Sequence, residues 1–134
     1  NATASNTRGD DPAFSPEKAL DGDDATYWAT NDEVTTASIE IDLGEAMEFD
    51  RVMIQEHIAL GQRVQAHEIA YWDGAAWQPL AEGTTIGYKR IHRTPPVTAS
   101  KVRDSITQAK ACPTIQKVGL FLSSPKDLKV KATP

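Results

Sequence analysis

Apolar and polar residues alternate along most of this chain with a period of two. Ile39, Ile41 and Leu43 are interleaved with Ser38, Glu40 and Asp42. That spacing puts the apolar side chains on one face of an extended strand. Arg51–Glu56, with Val52 and Ile54 on one side, predicts a second strand, and Val64–Trp72 a third. Asp73-Gly74 is a tight-turn pair, so Trp77–Ala81 is expected to return as the partner of a hairpin. Thr84–His92 is rich in β-forming residues, and Ser100–Ile106 and Thr114–Leu122 complete the set. No stretch of ten residues fits an amphipathic helix. The one helical signal is Ser15–Leu20, a single turn with Ser15 as its expected cap and Pro16 in the first helical position. Asp21-Gly22-Asp23-Asp24 ends it, and residues 1–14 read as a polar extended lead-in. Many short strands separated by turns predict an all-β sandwich or barrel. The expected domain is residues 1–122, followed by a polar, Lys-rich, Pro-bounded tail or linker at 123–134. There is no internal repeat.

The chain has 134 residues, enough for one core. Its net charge of −5, with the basic residues scattered, excludes the clustered Lys and Arg that neutralise nucleic-acid phosphates. No apolar run approaches the roughly 20 residues that span a bilayer. A single cysteine, Cys112, allows no internal disulfide and reads as a small buried apolar side chain. The opening Asn1-Ala2-Thr3-Ala4-Ser5 is expected to be the start of a mature or excised fragment.

Candidate chemistry concentrates in two places. The stretch Lys18–Trp28 crowds oxygen-bearing side chains into a turn, which suits either a hard cation such as Ca²⁺ or plain solvation. The segment Glu56–Arg63, with Glu56, His57, Gln62 and Arg63, has the mixed donors and acceptors that sugar hydroxyls need. Tyr88, Lys89 and Arg90 could line the same end. Equally open is a Glu56–Arg63 ion pair that pins the loop, or contact with a neighbouring domain. Trp28, Trp72 and Trp77 are expected mainly in core packing. His57, His67 and His92 lack metal-ligand spacing, and His67 shares its strand face with Ile69 and Tyr71, as a half-buried structural histidine would. No Gly-x-Ser-x-Gly elbow is present, and nothing places two carboxylates across a cleft.

Ala19-Leu20-Asp21-Gly22-Asp23 with Thr26-Tyr27-Trp28 resembles the N-terminal signature of the discoidin, or coagulation factor 5/8 type C, superfamily, which includes carbohydrate-binding module family 32. Trp72-Asp73-Gly74-Ala75-Ala76-Trp77 and Ser100-Lys101-Val102-Arg103 match the same pattern. Three further segments, Gln55–Val64, Gly83–Ile91 and Ala111-Cys112-Pro113, resemble the C-terminal sandwich of glycoside hydrolase family 29 α-L-fucosidases. The resemblance implies an eight-stranded antiparallel jelly-roll β-sandwich, discoidin-like and galactose-binding-domain-like. It implies a non-catalytic module of a secreted or periplasmic glycoside hydrolase. Such a module would bind galactose- or fucose-bearing glycans, or would pack on the catalytic barrel and support its rim. A phospholipid- or protein-binding discoidin role ranks last, because membrane-binding relatives carry apolar spikes on loop tips and no such cluster stands out here. The resemblance also implies a structural Ca²⁺ on the Lys18 carbonyl, the Asp21 and Asp23 carboxylates and Thr26. Lys117 departs from that pattern, falling where the family supplies a Glu ligand.

Overall fold

The computed structural model describes residues 1–122; the tail expected at 123–134 lies outside the described residues. Seven strands are present among them: β1 (Ala2–Ala4), β2 (Trp28–Ala29), β3 (Ala37–Glu56), β4 (Val64–Trp72), β5 (Trp77–Gly83), β6 (Arg90–Ala109) and β7 (Thr114–Phe121). All pairings are antiparallel. The all-β architecture is the one the alternation predicts. The strand count depends on β3 and β6, which each run through both layers. The first part of β3 pairs with β1 and with the second half of β6, which carries β4 and then β5. The last part of β3 pairs with β7 and the start of β6, and β7 carries β2.

The sequence shows β3 as two strands and β6 only from Ser100, because the corner residues look like breakers. At the corner the β3–β6 register slips between Asp42 and Met47 and again between Phe49 and Arg51. Gly44 takes φ +84° there. Pairing passes from Phe49–Val97 to Arg51–Arg93, so Pro95 and Pro96 fall where the ladder is already broken. A proline has no N–H to donate, and such a break asks for none. Thr84–Lys89, by contrast, is not strand; β6 begins at Arg90. Gly87 at φ +67° turns that segment away from the ladder. The helical turn is a short 3-10 element, Pro16–Ala19, and the Ser15 side chain makes no capping bond. Asp11 caps the preceding turn instead, accepting from the Ala13 N–H at 2.9 Å.

The apolar faces meet between the layers. Ile39, Ile69, Val102 and Ile106 from one pack against Val52, Ile54, Ile115 and Phe49 from the other. Each such burial contributes about 1.5–3 kcal/mol. Trp28 is fully buried in this core, its indole N–H donating to the Asn6 carbonyl at 2.9 Å. Trp72 and Trp77 are only half-buried, edge to face across the β4–β5 hairpin at 5.6 Å.

Two polar features interrupt the core. His67 and His92, far apart in sequence, meet with 2.8 Å between their Nε2 atoms. His67 Nδ1 lies 3.1 Å from the Thr84 carbonyl, an acceptor only, so Nδ1 carries its proton and Nε2 accepts from His92. Burial lowers both pKa values, that of His92 to about 4. Gly83 makes room for the pair: a Cβ there would lie 2.7 Å from His67 Cε1. Asp104 is the second feature. It sits between Ile39 and Ile69 in the register, and both carboxylate oxygens are buried without a hydrogen-bond partner among the described residues.

Burial raises the Asp104 pKa to about 8. The unfolded carboxyl titrates near 4, so the folded chain holds one more proton between about pH 4 and pH 8. Stability from this group is complete below that interval and falls as pH rises through it. Leu replaces the two oxygens by methyls of similar shape. Asp104→Leu is therefore expected to stabilise the chain by about 1–3 kcal/mol near pH 8, with a smaller gain toward pH 5. Urea midpoints measured across that range check it; parallel pH profiles for the two chains would exclude Asp104 as the source.

Candidate functional site

One end of the sandwich gathers five segments: residues 5–14, 23–36 (which include β2), 57–63, 84–89 and 110–113. The end of β3, the starts of β4 and β7 and both ends of the β6 register place them there. Glu56 organises this end. It is 1% exposed. Its Oε1 accepts the N–H groups of Arg63 at 2.8 Å and Val64 at 3.0 Å, and its Oε2 accepts that of Gly87 at 2.8 Å. The expected Glu56–Arg63 meeting therefore occurs through the Arg63 backbone. The Arg63 guanidinium turns elsewhere, donating from one nitrogen toward the Cys112 carbonyl at 2.9 Å and Sγ at 3.1 Å.

Cys112 is buried, as expected of a small apolar side chain, but its sulfur is not in apolar surroundings. Arg8 donates to the same Sγ at 3.0 Å and to the Thr30 carbonyl at 3.1 Å. Two guanidinium groups thus clasp the 110–113 turn. Of the other candidates, Gln62, Tyr88 and Lys89 are solvent-exposed, and Lys89 lies 5.9 Å over the Tyr88 ring. Arg90 is half-buried and donates to the Thr85 carbonyl at 3.2 Å.

His57 belongs to a row of side chains that the sequence did not reveal. The Arg8 guanidinium lies 5.2 Å over Phe14. Phe14 lies 5.7 Å from Tyr27, and Tyr27 stacks on the His57 imidazole at 4.4 Å. Beyond His57, Gln116 lies 3.1 Å from Nδ1 through Oε1, and its amide donates to Asp24 at 3.2 Å. This chain of bonds fixes the tautomer. Asp24 accepts, so Gln116 presents its NH₂ to Asp24 and its oxygen to His57; His57 Nδ1 then carries the proton. Nε2 is left as an acceptor, with no hydrogen-bond partner among the described residues. Tyr27 was visible in the family signature, whereas Phe14 lay in what reads as a polar lead-in. Nothing in sequence spacing links residues 8, 14, 27, 57 and 116.

The acidic turn is closed by its own hydrogen bonds. Asp21 accepts the Asp23 N–H at 2.9 Å and the Thr26 hydroxyl at 2.7 Å; Asp23 accepts the Ala25 N–H at 2.9 Å. The Thr26 hydroxyl, and next the Asp23 amide, hold the Asp21 carboxyl below its ordinary value. Lys117 is exposed and makes no ion pair with the turn among the described residues; its neighbour Gln116 reaches Asp24 instead. No three of His, Cys, Asp and Glu converge as metal ligands among the described residues. The hard oxygens of Asp21, Asp23 and Thr26 suit Ca²⁺ in kind, but Thr26 would have to release Asp21 to bind one.

Removing the Glu56 carboxylate strands three backbone donors in a buried place. Glu56→Ala is expected to destabilise the chain by about 3–5 kcal/mol, far more than substitution of an exposed residue such as Gln62. Thermal melts of Glu56→Ala and Gln62→Ala side by side check this; equal melting points would show that Glu56 does not hold the loops.

The F5/8 type C domain model matches residues 1–117. A protein of the α-L-fucosidase 1 type from Oryza sativa subsp. japonica is 36% identical over 124 residues, covering 91% of this chain and 24% of its own. A Ruminococcus gnavus GH29 fucosidase solved with fucose superposes with a TM-score of 0.87 at 35% identity, over 95% of this chain and 26% of that one. The chitosan-binding module 1 of a Paenibacillus chitosanase/glucanase matches with a TM-score of 0.79 at 22% identity, over 90% of this chain and 93% of that module, and at that identity shows the fold alone. The chain spans about a quarter of the length of its fucosidase relatives, and the part it matches is this domain rather than their catalytic portion. It belongs to the F5/8 type C domain family.

Proposed function

We propose that the chain is a carbohydrate-binding accessory module of an exported α-L-fucosidase-like glycoside hydrolase, and that the row from Arg8 to Asp24 receives terminal galactose or fucose units. The observation that carries this reading is the fixed placement of the His57 ring. The imidazole is stacked on Tyr27, oriented by Gln116 and left with a bare Nε2 to accept a sugar hydroxyl. The partly exposed Phe14 and Tyr27 rings, with the Arg8 guanidinium at the far end of the row, supply an apolar face and donors, the few parts a sugar site needs. Glu56 and Arg63 support the loops instead of meeting the ligand.

A second reading is a domain that packs on the catalytic part and binds no sugar. An apolar groove of about 480 Å³ at the opposite end favours it; Ile41, Leu43, Met47, Leu120 and Phe121 are among its lining residues. Calorimetric titration of the chain with fucosylated and galactosylated oligosaccharides separates the two. Saturable heat, reduced at least tenfold in affinity by His57→Ala with little change in melting point, is expected for the first. Absence of heat with every such sugar leaves packing as the function.

For the cation, Asp21, Asp23 and Thr26 with the Lys18 carbonyl are the proposed ligands. If Ca²⁺ binds there, chelation lowers the melting point and added Ca²⁺ restores it, by mass action on the folded state. A melting point indifferent to both would assign the turn to its internal hydrogen bonds.

A further inference from the structure

The outer face of the β5–β4–β6 layer holds a groove that neither the loop-end site nor the apolar groove uses. Two cavities, of about 490 and 330 Å³, share Glu68 and Glu82 and so form one trough along the strands. Trp77 and Arg103 line one end; Thr84, Thr107 and Arg90 line the other. The trough covers the register from Ala66 to Ala70 of β4, a length of roughly 14 Å.

Its chemistry is unusual for a bare sheet face. Glu68 and Glu82 stand directly opposite each other, and neither has an ion pair among the described residues. Like charges so placed disfavour the strand pairing. Arg103 is held, its guanidinium 4.3 Å from the Trp77 ring centroid and 3.7 Å from Glu40. Trp77 is braced in turn by the edge-to-face contact with Trp72. Acceptors, donors, hydroxyls and one indole thus lie along the strands, with Thr84 just past the end of β5. Among the described residues the large exposed apolar side chains, such as Met47, Tyr88, Ile91 and Phe121, all lie elsewhere. A protein partner is recognised mainly through such apolar anchors, whereas a neutral polyol needs donors and acceptors together with one aromatic face.

We infer that this trough is a second carbohydrate subsite, taking an extended neutral oligosaccharide laid along the strands. Trp77 with Arg103 grips one sugar, the two carboxylates accept hydroxyl protons midway, and Arg90 with the Thr84 and Thr107 hydroxyls takes the other end. Only the class of ligand rests on the reading of the chain as a sugar-binding module; the position is independent of His57.

The test is a heteronuclear NMR titration of the full chain with a neutral fucosylated tetrasaccharide and, separately, with free L-fucose. The Trp77 indole and the Ser105 and Ala70 amides are expected to shift saturably with the tetrasaccharide and at least tenfold more weakly with fucose. Arg103→Ala should weaken that response at least tenfold while the buried Trp28 indole keeps its position, which reports an intact fold. His57→Ala should leave it unchanged. A groove response without a loop-end response would uphold this subsite and overturn the loop-end site. A loop-end response with a silent trough, a trough equally responsive to fucose, or a response that survives Arg103→Ala would each overturn the subsite. A trough silent toward sugar but protected from hydrogen exchange by a protein partner would assign the face to docking and overturn it as well.

Discussion

The backbone N–H groups of Arg63, Val64 and Gly87 end on the buried carboxylate of Glu56. Buried donors must be satisfied, and charge-assisted bonds to a desolvated carboxylate are among the strongest available. Glu56 also closes the ring from its own backbone, its N–H donating to the Gly87 carbonyl at 3.0 Å. The 57–63 and 84–89 connections are thus held to the end of β3, and the starts of β4 and β6 follow from where they are held. His57, next in sequence, inherits a fixed place beside Tyr27 and Gln116.

The two long strands distribute that order through both layers. Because β3 and β6 turn the corner together, each contributes residues to both layers. The polar groups inside the sandwich mark the cost of this arrangement. The His67–His92 pair satisfies itself, the Nε2–H of His92 donating to His67 Nε2, with Gly83 leaving the space. Asp104 has no such partner among the described residues and lessens its desolvation cost by holding its proton.

The two candidate sugar surfaces differ in their supports. The loop-end row is assembled from four chain segments and depends on Glu56, Arg63 and Arg8 for its shape. The trough is built on three adjacent strands, with Arg103 fixed by Glu40 and Trp77. A site on loops can differ between related domains at little cost to the fold, whereas one on strands is tied to the sheet itself.

Sequence alone determined the class of fold, because the period-two alternation at Ile39–Leu43 and Val64–Trp72 is a local consequence of strand geometry. It also determined the family, through the signature around Asp21 and Trp28, and the buried character of Cys112 and Trp28. Tertiary structure decided everything that required two distant segments to meet. Glu56 and Arg63 are close in sequence, yet which atoms of Arg63 face Glu56 depends on Cys112, which comes from the other end of the chain. The prolines at 95 and 96 look like breakers, and only the register of β3 against β6 shows that the ladder is open where they fall. Arg8, Phe14, Tyr27, His57 and Gln116 have no common spacing, because a loop-end surface is set by how strands are ordered in space. Glu68 and Glu82 face each other for the same reason: hydrogen-bond pairing across a hairpin, not separation along the chain, determines which side chains are neighbours.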